Sequence, residues 1–353
     1  MARIRVLIAE DSTTVRKRLL EVISQAPEFE VVGEAADGRT AFDLCQRLRP
    51  DVVTMDMVMP VMTGLAATEQ IMAQCPTPIV VVSASVNRGE LFKTYDALAA
   101  GALDVIDKPQ GTEAHGEWEQ KLLSVLRVAS RVRVITHPRA RLGLYPPVSR
   151  FPSPVIPSAV TAHTGKLIAL GASTGGPAAL MQILGGLGVP YPLPVLVVMH
   201  LNAPFAHAFA EWLGQHTRLP VSYARDGEPL SSLVGKVALA PPDQHLYVDQ
   251  GRLRLSNAPE RHSCRPSVDV LFESLAGETA PGVVAALLTG MGKDGAAGLL
   301  ALRKAGALTL AQDEASSVVY GMPREAAALE AASKVMPLGE IAQVVAGYGP
   351  PKD

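Results

Sequence analysis

The feature that most narrows the folds open to this chain is an alternation, run twice, of short apolar stretches with segments of helical spacing. In the first part, Arg5 to Ala9, Glu30 to Glu34, Val52 to Met55, Ile79 to Val82 and Asp104 to Ile106 predict strands. Between them Val15, Leu19, Leu20 and Ile23 fall on one helix face, as Leu122, Val125, Leu126 and Ala129 do in the last helix. Strands joined through helices pair in parallel and need cover on both faces, so residues 1–130 predict one doubly wound (βα)5 domain of the α/β class. Ligands of such sheets collect beyond the carboxyl ends of the strands, which are therefore the positions to read for chemistry.

The rhythm breaks between Thr136 and Gly165, where Pro138, Pro146, Pro147, Pro152, Pro154 and Pro157 stand among serines and the basic Arg139, Arg141 and Arg150. Without periodicity, 131–165 reads as a semi-extended linker. From Lys166 the alternation resumes and predicts a second doubly wound, mostly parallel α/β domain over 166–349. Its strands are expected at Leu167 to Leu170, Leu193 to Met199 and Val283 to Leu288, with a helix over Ala296 to Lys304. At ~150 residues per domain, 353 residues are enough for two such cores.

Charge and cysteine content exclude several classes. With 32 basic and 34 acidic residues the formal net charge is -2, so no global field draws the chain to nucleic acid or an anionic membrane. The three cysteines, Cys45, Cys75 and Cys264, are too few and scattered for a disulfide framework or zinc site and suit a reducing compartment. Cys45 and Cys75 read as packing residues. Met1 leads straight into a strand, and no apolar run approaches ~18 residues. A cytoplasmic monomer that does not insert into membranes is expected.

The strand ends of the first domain are polar in a coordinated way. Glu10 and Asp11 follow the first strand, Asp56 ends the third, Ser83 follows the fourth, and Lys108 follows the fifth, just before Pro109. Taken singly, each is an ordinary cap or solvated loop residue. Together, three carboxylates at one sheet edge repel one another and call for a cation, and oxygen ligands with room for water suit Mg²⁺. Lys108 would offset the same charge.

In the second domain, Gly171-Ala172-Ser173-Thr174-Gly175-Gly176-Pro177 reads as a strand, a tight turn and a helix start, with Pro177 in the first helical turn. The spacing fits G-x-S-x-G, although an isolated glycine-rich turn is more often a phosphate cradle or a compact bend. His200 sits just past the next strand, and Asp294 lies in Thr289-Gly290-Met291-Gly292-Lys293-Asp294-Gly295 past another. A hydroxyl, an imidazole to take its proton and a carboxylate to fix the imidazole tautomer are what acyl transfer needs. The order Ser, His, Asp departs from the Ser, Asp, His order of α/β-hydrolases. His207, His245 and His262 compete for the role of base and read as surface or partner-contact residues. Cys264 is a rival nucleophile because Arg261, His262 and Arg265 favour a thiolate, but no helix start adjoins it, which ranks it below Ser173.

Residues 1 to about 130 resemble a response-regulator receiver domain. The resemblance rests on Ala9-Glu10-Asp11-Ser12, Met55-Asp56-Met57-Val58-Met59-Pro60, Ser83-Ala84 and Lys108-Pro109. It implies that Asp56 accepts a phosphoryl group from a histidine kinase. It further implies that Glu10, Asp11, Asp56 and the Val58 backbone carbonyl hold Mg²⁺, and that Ser83 and Lys108 respond to the phosphoryl group. Glu10 stands where aspartate is commoner, Thr63 replaces the aspartate of M-P-x-M-D-G, and Val105 takes the place of an aromatic switch residue.

Residues 166 to 349 resemble the catalytic domain of the chemotaxis protein-glutamate methylesterases, the CheB family. Besides the Ser173 turn, the resemblance rests on Arg265-Pro266-Ser267-Val268-Asp269-Val270-Leu271-Phe272, Leu288 to Ala296, Ala311-Gln312-Asp313-Glu314-Ala315-Ser316 and Gly321-Met322-Pro323-Arg324-Glu325-Ala326. It implies a Ser173 nucleophile, a His200 base, an orienting Asp294 and an oxyanion donor in the Met291 backbone amide, with no cofactor for the esterase. The implied substrate is a glutamyl γ-methyl ester on the cytoplasmic helices of a chemoreceptor, with receptor glutamines as a second substrate. A chemotaxis histidine kinase would be the phosphoryl donor that regulates it. Met199 departs from the glutamine common before the histidine.

Overall fold

The computed structural model describes residues 3–84, 88–109, 116–132, 134, 163–201, 203–277 and 280–349. The chain divides into two compact units, Met1–Tyr145 and Pro146–Asp353. The linker read at 131–165 lies almost wholly outside the described residues.

In the first unit, β1 (Ile4–Ala9), β2 (Phe29–Ala35), β3 (Val52–Met55), β4 (Ile79–Ser83) and β5 (Asp104–Asp107) alternate with α1 (Thr13–Gln25), α2 (Gly38–Leu48), α3 (Gly64–Gln74), α4 (Arg88–Ala99) and α5 (Glu117–Ala129). The sheet is parallel in the order β2-β1-β3-β4-β5, the doubly wound arrangement expected. Strands β3 and β4 are buried along their whole length, which is why they read as continuous apolar runs rather than alternating ones. Helix starts are set by side chains: Ser12, Asp37 and Thr63 accept from the backbone amides of Val15, Thr40 and Ala66. Thr63 thus keeps a capping role where the receiver pattern has aspartate. Strand order reverses between β1 and β3, and their register pairs Ala9 with Met55, so Glu10 and Asp56 emerge side by side.

In the second unit the strands are β6 (His163–Thr164), β7 (Leu167–Ala172), β8 (Val195–Met199), β9 (Val221–Tyr223), β10 (Val237–Leu239), β11 (His245–Asp249), β12 (Arg252–Ser256), β13 (Val283–Leu287), β14 (Leu308–Gln312), β15 (Lys334–Met336) and β16 (Tyr348–Gly349). The helices are α6 (Gly176–Gly185), α7 (Ala203–Ala206), α8 (Phe209–Gln215), α9 (Val268–Ser274), α10 (Ala296–Lys304), α11 (Met322–Ala328) and α12 (Leu338–Gly347). Seven strands form one parallel sheet, β15-β14-β13-β7-β8-β10-β9. Two small pairs stand outside it: parallel β6-β16 and the antiparallel hairpin β11-β12, whose Gln250 and Gly251 both have positive φ.

Strand β8 begins at Val195 rather than Leu193 because Pro194 has no amide to give the ladder; its carbonyl accepts from Ile168 instead. The chain builds outward from β7 through β8 on one side and through β13 on the other. Strand order therefore reverses at β7, where an open α/β sheet leaves its crevice. Among the described residues no helix is long and apolar enough to cross a membrane.

Candidate active site and candidate phosphoacceptor site

Parallel register brings the second unit's candidates together. Ala172 of β7 pairs with Met199 of β8, and Gly171 pairs with Leu287 of β13, so Ser173 emerges with His200 on one side and the β13 loop on the other. The ladder runs one step past each strand: His200 N–H donates to Ala172 O and Ser173 N–H to Thr289 O, both at 3.0 Å. The chain then turns within three residues, with Gly176 N–H on Ser173 O at 2.7 Å and Gly175 at φ 78°, a conformation that glycine adopts without steric cost. Pro177 takes its place in the first turn of α6. Across from Ser173, a Cβ on Gly290 would lie 2.7 Å from the serine Cβ and 2.4 Å from the Met322 sulfur, so only glycine lets this loop close against the turn. Thr289 Oγ1 donates to Thr174 O at 2.9 Å and ties the two loops together.

Asp294 is 2% exposed and fully engaged. Its Oδ1 accepts from Ser267 Oγ at 2.7 Å and Asp269 N at 3.2 Å, while Oδ2 accepts from Val268 N at 2.6 Å and meets His200 Nε2 at 2.9 Å. Burial pushes this carboxyl up, but the bonds from His200, Ser267 and Val268 outweigh it and hold the pKa below the ordinary value. For His200, burial pulls the pKa down; the hydrogen bond to Asp294 and the neighbouring Cys264 sulfur overcome that and push it up to about 9.

With Nε2 committed to Asp294, Nδ1 is the imidazole nitrogen left to accept a proton. The Ser173 hydroxyl makes no hydrogen bond to another described residue, so Ser173 and His200, the candidate nucleophile and base, are neighbours rather than bonded partners. Catalytic hydrogen bonds are often loose before substrate binds. Met291 is 37% exposed, and its amide makes no hydrogen bond among the described residues. Met199 packs its thioether against Gly176 and fills space where the resemblance suggested a polar side chain.

The rival histidines separate clearly. His207 is exposed. His245, read from the sequence as a surface residue, is instead 1% exposed: its Nδ1 accepts from Ser267 N–H and its Nε2 donates to Pro259 O. His262 Nε2 donates to the buried Asp269 at 3.1 Å. Cys264 comes closer than the sequence suggested, with its sulfur 3.7 Å from His200 Nδ1.

In the first unit, Glu10, Asp11 and Asp56 each bring a carboxylate oxygen within 4.8 Å of the others. Glu10 is fully buried, Asp56 nearly so, and Asp11 exposed. Lys108 Nζ stands 2.9 Å from both Glu10 Oε1 and Asp56 Oδ2, while Glu10 Oε2 has no hydrogen-bond partner. Burial, reinforced by Asp56, pushes Glu10 up to about 7 despite Lys108. Burial likewise raises Asp56 against the pull of Lys108. A buried carboxylate oxygen without a donor, beside two further acids, fits a divalent cation. Val58 N–H donates to Asp56 Oδ1 at 3.3 Å, leaving the Val58 carbonyl unused by that bond. Ser83 is buried, with the Thr94 hydroxyl donating to its Oγ at 3.4 Å, and Val105 is buried in the place where an aromatic switch would stand.

Both units match known protein families. Residues 168–345 match the family profile described as CheB methylesterase, and residues 6–115 match that of the response regulator receiver domain. A protein-glutamate methylesterase/protein-glutamine glutaminase of Myxococcus xanthus is 44% identical over 342 residues, covering 96% of this chain and 95% of its own. One of Pseudomonas aeruginosa is 43% identical over 346 residues, with 96% and 95% covered. Among solved structures, the CheB methylesterase catalytic domain of Thermotoga maritima is 32% identical and matches 52% of this chain and 98% of its own, at a TM-score of 0.49. Fold and comparisons define a class, the response regulator with an enzymatic output domain. The chain belongs to the CheB methylesterase family.

One residue of this site escaped the sequence reading. Ser267 looks like an ordinary cap of α9, and its Oγ does accept from Val270 N–H, but the same hydroxyl donates to Asp294. A hydrogen bond to a charged group contributes ~1.5–3 kcal/mol, so if Asp294 needs it while His200 is cationic, its loss slows turnover ~10-fold or more. Ser267→Ala is therefore expected to lower kcat with little change in KM, and Ser267→Thr to restore it. Equal rates for the alanine variant and wild type would show that the backbone amides alone hold Asp294.

Proposed function

We propose that residues 166–349 hydrolyse glutamyl γ-methyl esters on the cytoplasmic helices of a chemoreceptor, with Ser173 as nucleophile, His200 as base and Asp294 as its orienting acid. The observation that carries this reading is the Asp294–His200 pair, 2.9 Å apart and set beside Ser173 where the sheet order reverses. Asp294 takes the Nε2 proton into its hydrogen bond and so leaves Nδ1 as the acceptor. Ser173 Oγ attacks the ester carbonyl while its proton passes to Nδ1. The Met291 amide donates to the carbonyl oxygen as it becomes anionic, a contribution typically worth ~3–4 kcal/mol. The proton then goes to the departing methanol, and water releases glutamate by the same steps in reverse. Glutamine deamidation differs only in that ammonia leaves.

The first unit supplies regulation, with residues 1–130 as receiver and Asp56 as the acceptor of a phosphoryl group from a chemotaxis histidine kinase. Glu10, Asp11, Asp56 and the Val58 carbonyl would hold Mg²⁺. Bound there, Mg²⁺ supplies charge neutralisation for phosphoryl transfer. Lys108 and Ser83 would meet the phosphoryl oxygens, a reading supported for Lys108 by its 2.9 Å approach to Asp56 Oδ2. A monomeric cytoplasmic protein fits this role.

Ser173→Ala is expected to reduce methanol release from methylated receptor membranes by ~10⁴-fold or more while leaving Asp56 phosphorylation intact. Activity within tenfold of wild type would transfer the nucleophile's role elsewhere.

The base must be neutral to act, and His200 is raised to about 9, so its competent fraction grows as pH rises. Below that pH, kcat/KM is expected to climb ~10-fold per pH unit. A flat profile between neutrality and pH about 9 would contradict the assignment of His200.

Asp56→Asn is expected to abolish labelling by acetyl phosphate, because the acyl phosphate needs the carboxylate oxygen that asparagine lacks. Labelling at wild-type stoichiometry would place the acceptor on another residue.

A further inference from the structure

Cys264 belongs to no step above, yet its sulfur lies 3.7 Å from Nδ1 of His200, the nitrogen assigned to take the serine's proton. The approach is built rather than incidental. Cys264 closes a two-residue turn, Arg261 to Cys264, with reciprocal backbone bonds of 3.1 and 2.9 Å. Its central residues, His262 and Ser263, both have left-handed φ, 52° and 59°, a conformation that costs a non-glycine residue ~1 kcal/mol or more. Side chains hold that turn down: His262 Nε2 donates to Asp269, and Arg261 pairs with Glu273 in a two-pronged ion pair. Among the described residues the thiol has one alternative acceptor, the His262 carbonyl at 3.4 Å.

Two donors on a tetrahedral Zn²⁺, sulfur at ~2.3 Å and nitrogen at ~2.0 Å, stand ~3.5 Å apart, close to the observed separation. Thiolate and imidazole together select soft or borderline ions over Mg²⁺. A metal-bound histidine characteristically gives its other nitrogen to a carboxylate, which fixes the ring and strengthens it as a ligand. Asp294 already does this at Nε2. His200 is 14% exposed and Cys264 half-buried, so an ion can reach both from solvent.

We propose that Cys264 Sγ and His200 Nδ1 form an inhibitory site for a borderline divalent transition-metal ion such as Zn²⁺, which stops the esterase by occupying the nitrogen that must accept the Ser173 proton. Binding forms one metal–sulfur and one metal–nitrogen bond and releases to solvent the thiol proton and, below pH about 9, the proton on Nδ1 of the imidazolium; water completes the coordination. With two protein ligands the ion is held reversibly and leaves to a chelator. The inhibition rests on His200 being the base, whereas the binding does not.

The test uses the full-length protein and two readouts. Co²⁺ added anaerobically is expected to give a thiolate-to-metal charge-transfer band in wild type and in Ser173→Ala, and none in Cys264→Ser or Cys264→Ala. The receiver carboxylates contribute no such band, and Cys45 and Cys75 are buried. In methanol release, Zn²⁺ is expected to inhibit wild type at concentrations at least ~10-fold lower than those needed for the Cys264 variants, with each rate referred to its own metal-free value. No band in wild type at millimolar Co²⁺, a band that survives in both Cys264 variants, or equal Zn²⁺ sensitivity in all of them would overturn the proposal. A band present while Ser173→Ala stays active would sink the esterase assignment and leave the metal site standing. A missing band with Ser173→Ala inactive would do the reverse.

Discussion

The esterase unit depends on one buried charge. Taking a carboxylate out of water costs several kcal/mol unless hydrogen bonds saturate it, and Asp294 is saturated by donors from two separate parts of the chain. Ser267, Val268 and Asp269 reach it from the start of α9, and His200 reaches it from the end of β8. None of these segments can shift without stranding the charge, so the need to satisfy Asp294 also fixes the imidazole. Asp269 extends the arrangement: buried in its turn, it accepts from Gly298 N–H at 2.6 Å and anchors His262 of the Cys264 turn. One short helix start therefore holds two carboxylates, one facing the imidazole and one facing the loop beside it.

What Asp294 does for the imidazole, register does for the hydroxyl. In a parallel sheet, neighbouring strands that end in register deliver the residues after them to one place, and β7 is flanked on both sides by strands that do so. Ser173 needs no side-chain bond to be positioned, since its amide is held by Thr289 and its turn is closed by Gly176. Beyond it, Gln312 of β14 accepts from Thr289 N–H at 2.8 Å and donates to Ser316 O at 2.7 Å, which braces the loop from the next strand.

Much of this was legible in the sequence because parallel strands buried on both faces leave plain apolar runs. The five strands of the first sheet and the helix from Ala296 to Lys304 fall where periodicity placed them; the carboxyl ends of the first sheet's strands lead to Glu10, Asp56 and Lys108, and those of β7, β8 and β13 lead to Ser173, His200 and the loop of Asp294. What stayed hidden depends on contacts far apart in sequence. Ser267 carries the signature of any helix cap, and only the fold reveals that its hydroxyl also faces Asp294. His245 lies in a strand of a hairpin outside the main sheet, and its place after Ala240-Pro241-Pro242-Asp243 gave no sign that Pro259 and Ser267 enclose it. Cys264 and His200 are 64 residues apart, and no spacing rule links a turn before α9 to the end of β8.

The two sheet edges, built on the same principle, are left in opposite electrostatic states. At Asp294 the fold lowers the carboxyl pKa, so the charged form is stabilised, and that contribution is lost only as pH falls through the depressed value. At Glu10 and Asp56 the fold raises both, chiefly by burial, so the charged forms oppose folding once pH exceeds their ordinary values. Lys108 is shared between them, and Glu10 Oε2 stays without a donor. A saturated carboxylate has little to gain from rearrangement, which suits the orienting role proposed for Asp294. The unsatisfied pair gains from any added cation and is disturbed by any added anion, so the phosphorylation proposed for Asp56 would force its surroundings to adjust. That difference in satisfaction, rather than any difference in fold, fits one strand edge to the catalysis proposed for it and the other to the proposed signalling.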